Sequence, residues 1–243
     1  MNTALVTGAS RRIGRAISLA LAASGCAVAL HYRRGKAETQ ALAEEIEQAG
    51  GRAVLVHADL TAARSLEGLV PAAAKALGAP LSWLVNNASV FEADDAKTAT
   101  RAGWDLHLET NTRAPFVLSQ QLVRQLPKRA SGAIVNLLDQ RVLHPGSEYA
   151  TYTVSKFALY GLTRSLALAL APQVRVNGVA PGPILKAGHE ASKAFARMVA
   201  DSPLQRQPSP DEVASAVLFL LQSPSVTGQV IAVDAGQHLG SAP

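Results

Sequence analysis

The chain has one cysteine, Cys26, so no internal disulfide can form. In an apolar segment such a residue reads as a small buried side chain rather than a nucleophile. The six histidines (His31, His57, His107, His144, His189 and His238) never fall at His-x-x-x-His spacing and have no cysteine partners, so no zinc or iron site is expected. Aromatic residues are only 5% of the chain and form no stripe with basic ones, which argues against a nucleic-acid partner. No unbroken apolar run reaches the ~18 residues of a membrane span. Met1-Asn2-Thr3 leads straight into a strand-like run without a basic leader, so the expected location is the cytoplasm. No repeat, linker or low-complexity segment divides the 243 residues. With 48% hydrophobic and 17% charged residues, they suit one large α/β domain with a sizeable core, not a disordered or coiled-coil chain.

The net charge is +5, and the basic residues are scattered. Some of them sit where an anionic ligand would be met. Thr3-Ala-Leu-Val-Thr is a short strand pattern, followed by Gly8-Ala-Ser-Arg-Arg-Ile-Gly14 and an apolar helical pattern from Ala16 to Ala23. Strand, glycine turn and helix together aim backbone N–H groups at a phosphate. Gly8 permits the turn, and Gly14 permits close approach of helix to sheet or pyrophosphate. Arg11, Arg12 and Ile13 lie inside this loop. Arg12 stands where such loops often have another glycine, and its planar fork can reach a phosphate or a carbonyl edge. The alternative is two solvated arginines at a helix start, which is unfavourable at the positive helix end without an anion.

A second strand, Cys26 to Tyr32, ends in Arg33-Arg34-Gly35. In a dinucleotide fold the adenosine ribose is read here. An acidic residue would accept from a 2′-hydroxyl, whereas arginine accommodates a 2′-phosphate, so the cofactor expected is NADP(H). After a helix over 36–49 and a third strand from Arg52 to His57 comes Asp59-Leu60. Asp59 either meets the adenine amine or caps the next helix, with Thr61 as a competing cap. That helix runs over 64–77. The fourth strand, Leu81 to Val85, opens into Asn86-Asn87-Ala88-Ser89. Its amides can tie strand ends together, and a small Ala88 lets a cofactor ribose pass. Ser89 and Phe91 follow at the carboxyl ends of parallel strands, where ligands bind. Phe91 either stacks on a flat substrate or packs on a helix.

A helical pattern from Thr100 to Lys128 is interrupted near Ala114-Pro115 and contains Asn111, which can bend the helix or hold a water. Trp104 and Phe116 are expected in the core. The strand Ala133 to Leu138 leads to Asp139 and then to a helix over 152–171. Tyr152 and Lys156, four residues apart, share a face of that helix. An ammonium beside a phenol favours phenolate, which lowers the pKa of Tyr152 and makes it a usable proton donor and acceptor. A sixth strand from Val174 ends in the rigid turn Pro181-Gly182-Pro183-Ile184, placed to close over a nicotinamide. Residues 185–209 are expected to form a mobile substrate lid. A last helix, started by Pro210-Asp211-Glu212 and running over 213–221, and a strand over 228–234 complete the chain.

Taken together, Thr7-Gly8, Gly14, Asp59, Asn86-Asn87-Ala88, Asn111, Tyr152-x-x-x-Lys156 and Pro181-Gly182 resemble the short-chain dehydrogenase/reductase family over essentially the whole chain. The resemblance implies a Rossmann-type, doubly wound, seven-stranded parallel sheet with three helices on each face. It implies Tyr152 as proton-transferring residue, Lys156 on the nicotinamide ribose and Asn111 holding a water of the proton relay. It also implies a homo-oligomer, a tetramer or a dimer, pairing the helices around 101–128 and 152–171. Two departures stand out. The middle glycine of the loop is Arg12, and the serine usually found thirteen residues before the tyrosine is Asp139. An ionised aspartate only accepts hydrogen bonds, but buried beside Tyr152 it can share in proton delivery.

Both departures, with His31-Tyr32-Arg33-Arg34 at the end of strand two, are similar to the pteridine reductase branch of the family. That likeness implies Arg12, Ser89, Phe91, Asp139 and Tyr152 around a pterin, and an NADPH-dependent reduction of a pterin-like C=N bond. Two other readings compete: a carbonyl reductase acting on 3-oxoacyl thioesters, sugars or steroids, and a nucleotide-sensing protein without catalysis.

Overall fold

The computed structural model describes residues 2–184 and 192–240. Short apolar runs alternate with amphipathic helices along the chain, and the runs become strands because each is covered on both faces. The strands are β1 (Thr3–Val6), β2 (Ala27–Tyr32), β3 (Ala53–His57), β4 (Trp83–Asn86), β5 (Gly132–Leu137), β6 (Val174–Pro181) and β7 (Val230–Val233). They pair in parallel throughout, in the order β3-β2-β1-β4-β5-β6-β7. Alternate residues of one strand feed opposite layers: Ala4 and Val6 join one core and Leu5 the other. Helices α1 (Arg12–Ala23), α2 (Lys36–Gln48) and α8 (Pro210–Gln222) supply Ile17, Leu42 and Val217 to the first core. Helices α3 (Ala63–Leu77), α5 (Ala114–Gln125) and α6 (Ala150–Ala169) supply Leu69, Leu118 and Leu166 to the second. The chain runs outward from β1 to β3 and then returns to β4. The strand order therefore reverses between β1 and β4, and the carboxyl ends of these strands frame a crevice.

The helical pattern expected over 100–128 is resolved into α4 (Arg101–Leu108), a single π turn (Glu109–Arg113) and α5. The backbone stays right-handed helical at both junctions, so the helix continues through the π turn, which directly precedes the stretch carrying Pro115. Trp104 and Phe116, expected in the core, are instead 41% and 37% exposed. Their helices turn these residues away from the sheet, as α6 does Val154 and Phe157. Helix α6 starts at Ala150, two residues before the expected start. Helix α8 begins at Pro210, where its start is expected, and Ser209 and Glu212 form a reciprocal capping box there. Of the expected lid, residues 185–191 lie outside the described residues. The rest contains α7 (Ser192–Ala200) and the segment leading to α8.

Candidate active site

The crevice opens into one cleft of about 770 Å³. Every site residue expected from the sequence lines it except Asn111. At one end stands the glycine turn. Gly8 has φ +64°, and a Cβ added at Gly14 would lie 2.1 Å from the Gly8 carbonyl oxygen and 2.6 Å from Asn87 Nδ2. The turn is clamped from β4: Asn87 Nδ2 donates to the carbonyls of Thr7 (2.8 Å) and Gly8 (3.0 Å). Thr7 Oγ1 in return accepts from the N–H groups of Asn87 and Ala88, each at 2.9 Å. The neighbouring Asn86 bonds Asn136 on β5 at 2.8 Å, so the amides do tie strand ends.

Helix α1 begins with no side-chain cap and no acidic residue in its first turn. Its leading N–H groups and the glycine cradle suit a phosphate. Arg12 has φ +56°, the left-handed region. That explains why a glycine is usual there, and the arginine accepts a strain of about 1–2 kcal/mol. Arg33 and Arg34 are exposed at the end of β2 and line the same end of the cleft, with Tyr32 between them and the sheet. These residues fit a dinucleotide with a 2′-phosphate. Leu60 lines the cleft beside Asp59. Asp59 caps nothing: the N-cap of α3 is Ala62. The Asp59 carboxylate instead accepts from Thr61 N–H (2.9 Å) and Oγ1–H (2.7 Å), which holds its pKa below the usual value. Thr61 is not the cap either.

The sequence carries His31 in the run at the end of strand two but does not show what it bonds to. His31 is buried, and its Nδ1 accepts from Gly8 N–H at 3.1 Å. Its Nε2 faces the Ala58 carbonyl at 3.2 Å, which can only accept, so the ring is neutral with the proton on Nε2. Burial pushes its pKa down to about 4. It joins the glycine turn to the end of β3.

At the other end Asp139 follows β5 and caps the 3₁₀ turn Gln140–Val142. Its Oδ1 accepts from Arg141 N–H at 2.9 Å and from Arg141 Nη1 at 3.4 Å. Its Oδ2 accepts from Tyr152 Oη–H at 2.8 Å. Lys156 Nζ donates to the Leu137 carbonyl at 2.8 Å and lies 5.6 Å from the centre of the Tyr152 ring. The expectation that Lys156 lowers the phenol's pKa is corrected here. Burial first, then the charge of Asp139 and its hydrogen bond, raise the Tyr152 pKa well above the ordinary value. Burial also lowers the Lys156 pKa to about 8, partly opposed by Asp139, so its charge is lost as the pH rises through that value. The pair therefore presents a firmly protonated phenol, not a phenolate.

Asn111 sits in the π turn with its amide fully engaged. Oδ1 accepts from Val90 N–H (2.8 Å) and Ser89 Oγ (3.1 Å), and Nδ2 donates to the Val90 carbonyl and to Ser155 Oγ, both at 3.0 Å. Its side chain ties the loop after β4 to α6. Phe91, on that loop, stacks on Tyr149 (centroids 4.3 Å, 15°) and meets the Tyr152 ring edge-on at 4.6 Å. The loop is also held by a chain that sequence spacing hides. His107 Nε2 accepts from Glu92 N–H at 3.1 Å, so Nδ1 carries the proton and donates to Thr151 Oγ1 at 2.8 Å. The Thr151 hydroxyl then donates to Asp94. This chain fixes the first turn of α6 and hence Tyr152. Pro181, Gly182 and Ile184 form the third wall, joined by Phe195 and Met198 of α7 and by Gln237.

A family model described as enoyl-(acyl carrier protein) reductase matches residues 8–238. Among solved structures, the FolM alternative dihydrofolate reductase 1 of Brucella canis, complexed with NADP, superposes with a TM-score of 0.95 at 41% identity, covering 100% of this chain and 96% of that one. An uncharacterised oxidoreductase of Methylorubrum extorquens is 37% identical over 243 residues, 96% of each chain. The 3-oxoacyl-[acyl-carrier-protein] reductase FabG of Staphylococcus aureus is 34% identical over 244 residues, 98% of each. With the parallel sheet, the glycine cradle and the Tyr152–Lys156 pair in one cleft, the chain belongs to the short-chain dehydrogenase/reductase family of oxidoreductases.

Proposed function

We propose that this enzyme uses NADPH to reduce a C=N bond of a pterin-like substrate. One observation carries the reading: at the place of the family's serine, Asp139 accepts a hydrogen bond from the hydroxyl of Tyr152, whose ring meets the aromatic Phe91 edge-on. A flat heterocycle with an aminopyrimidinone edge offers donors to Asp139 and a π face to Phe91, which a plain ketone does not. The 41% identical Brucella relative supports the same substrate class and the same cofactor.

The cofactor, when bound, supplies the hydride. Its pyrophosphate would be held by the Gly8–Gly14 turn and α1, its 2′-phosphate by Arg33 and Arg34, and its nicotinamide end by Lys156 and the Pro181–Gly182 turn. Arg12 serves both pyrophosphate and pterin, and Ser89 helps bound the pterin site. Tyr152 gives its proton to the ring nitrogen as hydride reaches the neighbouring carbon, so an O–H bond breaks and an N–H bond forms. Asp139 orients that proton, and the charged form of Lys156 offsets the phenolate left behind. The same reading carries a homo-oligomer in which a second copy covers the exposed Trp104, Phe116, Val154 and Phe157. Sedimentation of the purified chain tests this.

NADPH oxidation should be followed with dihydrobiopterin, dihydromonapterin, dihydrofolate and an acetoacetyl thioester, on wild type and Asp139→Ser. The expected result is turnover of at least one pterin, lost in the variant. Thioester turnover that exceeds every pterin and survives in Asp139→Ser would instead establish the carbonyl-reductase reading, which the FabG likeness favours. Cofactor choice has its own test. Arg33→Ala with Arg34→Ala should raise KM for NADPH by about 10–100-fold, the value of an exposed charge-assisted contact or two, and leave KM for NADH unchanged. Equal losses with both cofactors would show that the arginines support the loop and do not read the phosphate.

A further inference from the structure

We propose that Arg141 determines substrate specificity by binding a carboxylate on the substrate's side chain, an inference that rests on the pterin reading above. Arg141 lies in the 3₁₀ turn immediately after Asp139, and its side chain lines the cleft while only 17% exposed. Its guanidinium lies over two rings, 5.1 Å from the centre of Tyr149 and 5.6 Å from that of Phe91. Ring contacts of this kind take up none of the group's N–H donors in a hydrogen bond. Its one ion pair among the described residues, Nη1 to Asp139 Oδ1, is long at 3.4 Å. That carboxylate already accepts Tyr152 Oη–H at 2.8 Å on its other oxygen and the Arg141 backbone N–H at 2.9 Å. Nε and Nη2 have no acceptor among the described residues.

The backbone also holds this group in place. Tyr149 has φ +59°, a strained conformation for an aromatic residue, and it puts the ring beneath the guanidinium. Arg11, Arg12, Arg33 and Arg34, the other arginines lining the cleft, lie on the glycine turn and at the end of β2, whereas Arg141 follows β5 beside Asp139. A largely buried, pre-oriented planar cation with spare donors matches a carboxylate bidentately, which lysine does not reproduce.

The test compares dihydrofolate, whose tail bears carboxylates, with dihydrobiopterin, whose side chain bears no charge. Both are assayed with NADPH on wild type, Arg141→Met and Arg141→Lys. Arg141→Met should raise KM for dihydrofolate by about 10–100-fold with little change in kcat, and leave dihydrobiopterin within about twofold. Arg141→Lys should recover part of the loss. Equal losses on both substrates would mean that Arg141 only positions Asp139, and no change on either would mean that it touches no substrate. Both results overturn the proposal. Equilibrium binding of the two compounds to the NADP⁺-loaded enzyme separates the two readings, because it needs no turnover. Binding that discriminates through Arg141 without turnover of any pterin would overturn the reductase reading alone. Equal affinities in wild type and Arg141→Met would overturn the carboxylate contact alone.

Discussion

Replacing Tyr152 with phenylalanine should lower kcat for pterin reduction by about 10²–10⁴-fold, the usual contribution of a positioned general acid. NADPH affinity should hold within about threefold. The ring itself does packing work: it meets Phe91 at 4.6 Å, His107 at 6.0 Å and Lys156 Nζ at 5.6 Å, and phenylalanine keeps all three contacts. Only the hydroxyl and its 2.8 Å bond to Asp139 are removed. A reductase needs a proton at the moment hydride arrives, and the raised pKa of Tyr152 keeps that proton in place across the neutral range. The variant also leaves Asp139 without one donor, so Asp139→Asn with Tyr152→Phe should cost little more than Tyr152→Phe alone. Residues that act as one unit lose their function together. Steady-state kinetics with NADPH, together with fluorescence titration of the cofactor, reads both effects. A Tyr152→Phe enzyme that kept a third or more of its rate would show that the proton comes from another group.

How far the sequence carries depends on how local each feature is. Gly8 and Gly14 lie in one turn, and Tyr152 and Lys156 lie one helical turn apart. Their roles follow from backbone geometry that any strand–turn–helix or α-helix imposes. The apolar strands were legible for the same reason, because a parallel sheet buries both faces of every strand. The interactions that complete the site are not local. Asn111 reaches Ser155 across 44 residues, His107 reaches Thr151 across 44, and Asp94 reaches Thr151 across 57. No periodicity encodes such pairs. Trp104 and Phe116 illustrate a different limit. An aromatic in a helical pattern reads as core, but helices with apolar residues on more than one side leave open which side meets the sheet. The direction of the Tyr152 shift was illegible for an energetic reason. Sequence spacing places Lys156 nearby, but burial and the charge of Asp139 raise the phenol's pKa, the opposing charge comes from Arg141, and the extent of burial is not visible until the chain is folded.

Gly14→Ala should abolish measurable NADPH binding, a loss of at least about 100-fold, by adding one methyl group. Its Cβ would stand 2.1 Å from the Gly8 carbonyl oxygen and 2.6 Å from Asn87 Nδ2. Both are far inside van der Waals contact, and neither neighbour is the loose end of a flexible side chain. Gly8 O accepts from Asn87 Nδ2 at 3.0 Å, and Gly8 N–H is held by His31 at 3.1 Å. The turn cannot move off the methyl group without breaking one of these bonds, and Gly8 itself is buttressed by the Ala88 backbone 3.1 Å from its own Cβ position. Either α1 shifts away from the sheet or the phosphate turn opens, and both remove N–H groups from where a pyrophosphate would lie. Overpacking of this kind costs typically ~1–3 kcal/mol, so the variant should still fold with a lowered Tm. Gly68→Ala is the control. It lies inside α3 with no atom within 4 Å of its Cβ position, so it should gain about 0.5–1 kcal/mol from helix propensity and bind NADPH as wild type does. Cofactor titration beside a thermal melt distinguishes the outcomes. A Gly14→Ala protein that bound NADPH within threefold of wild type would mean that the cradle yields, and that Arg33 and Arg34 supply the affinity assigned here to the turn.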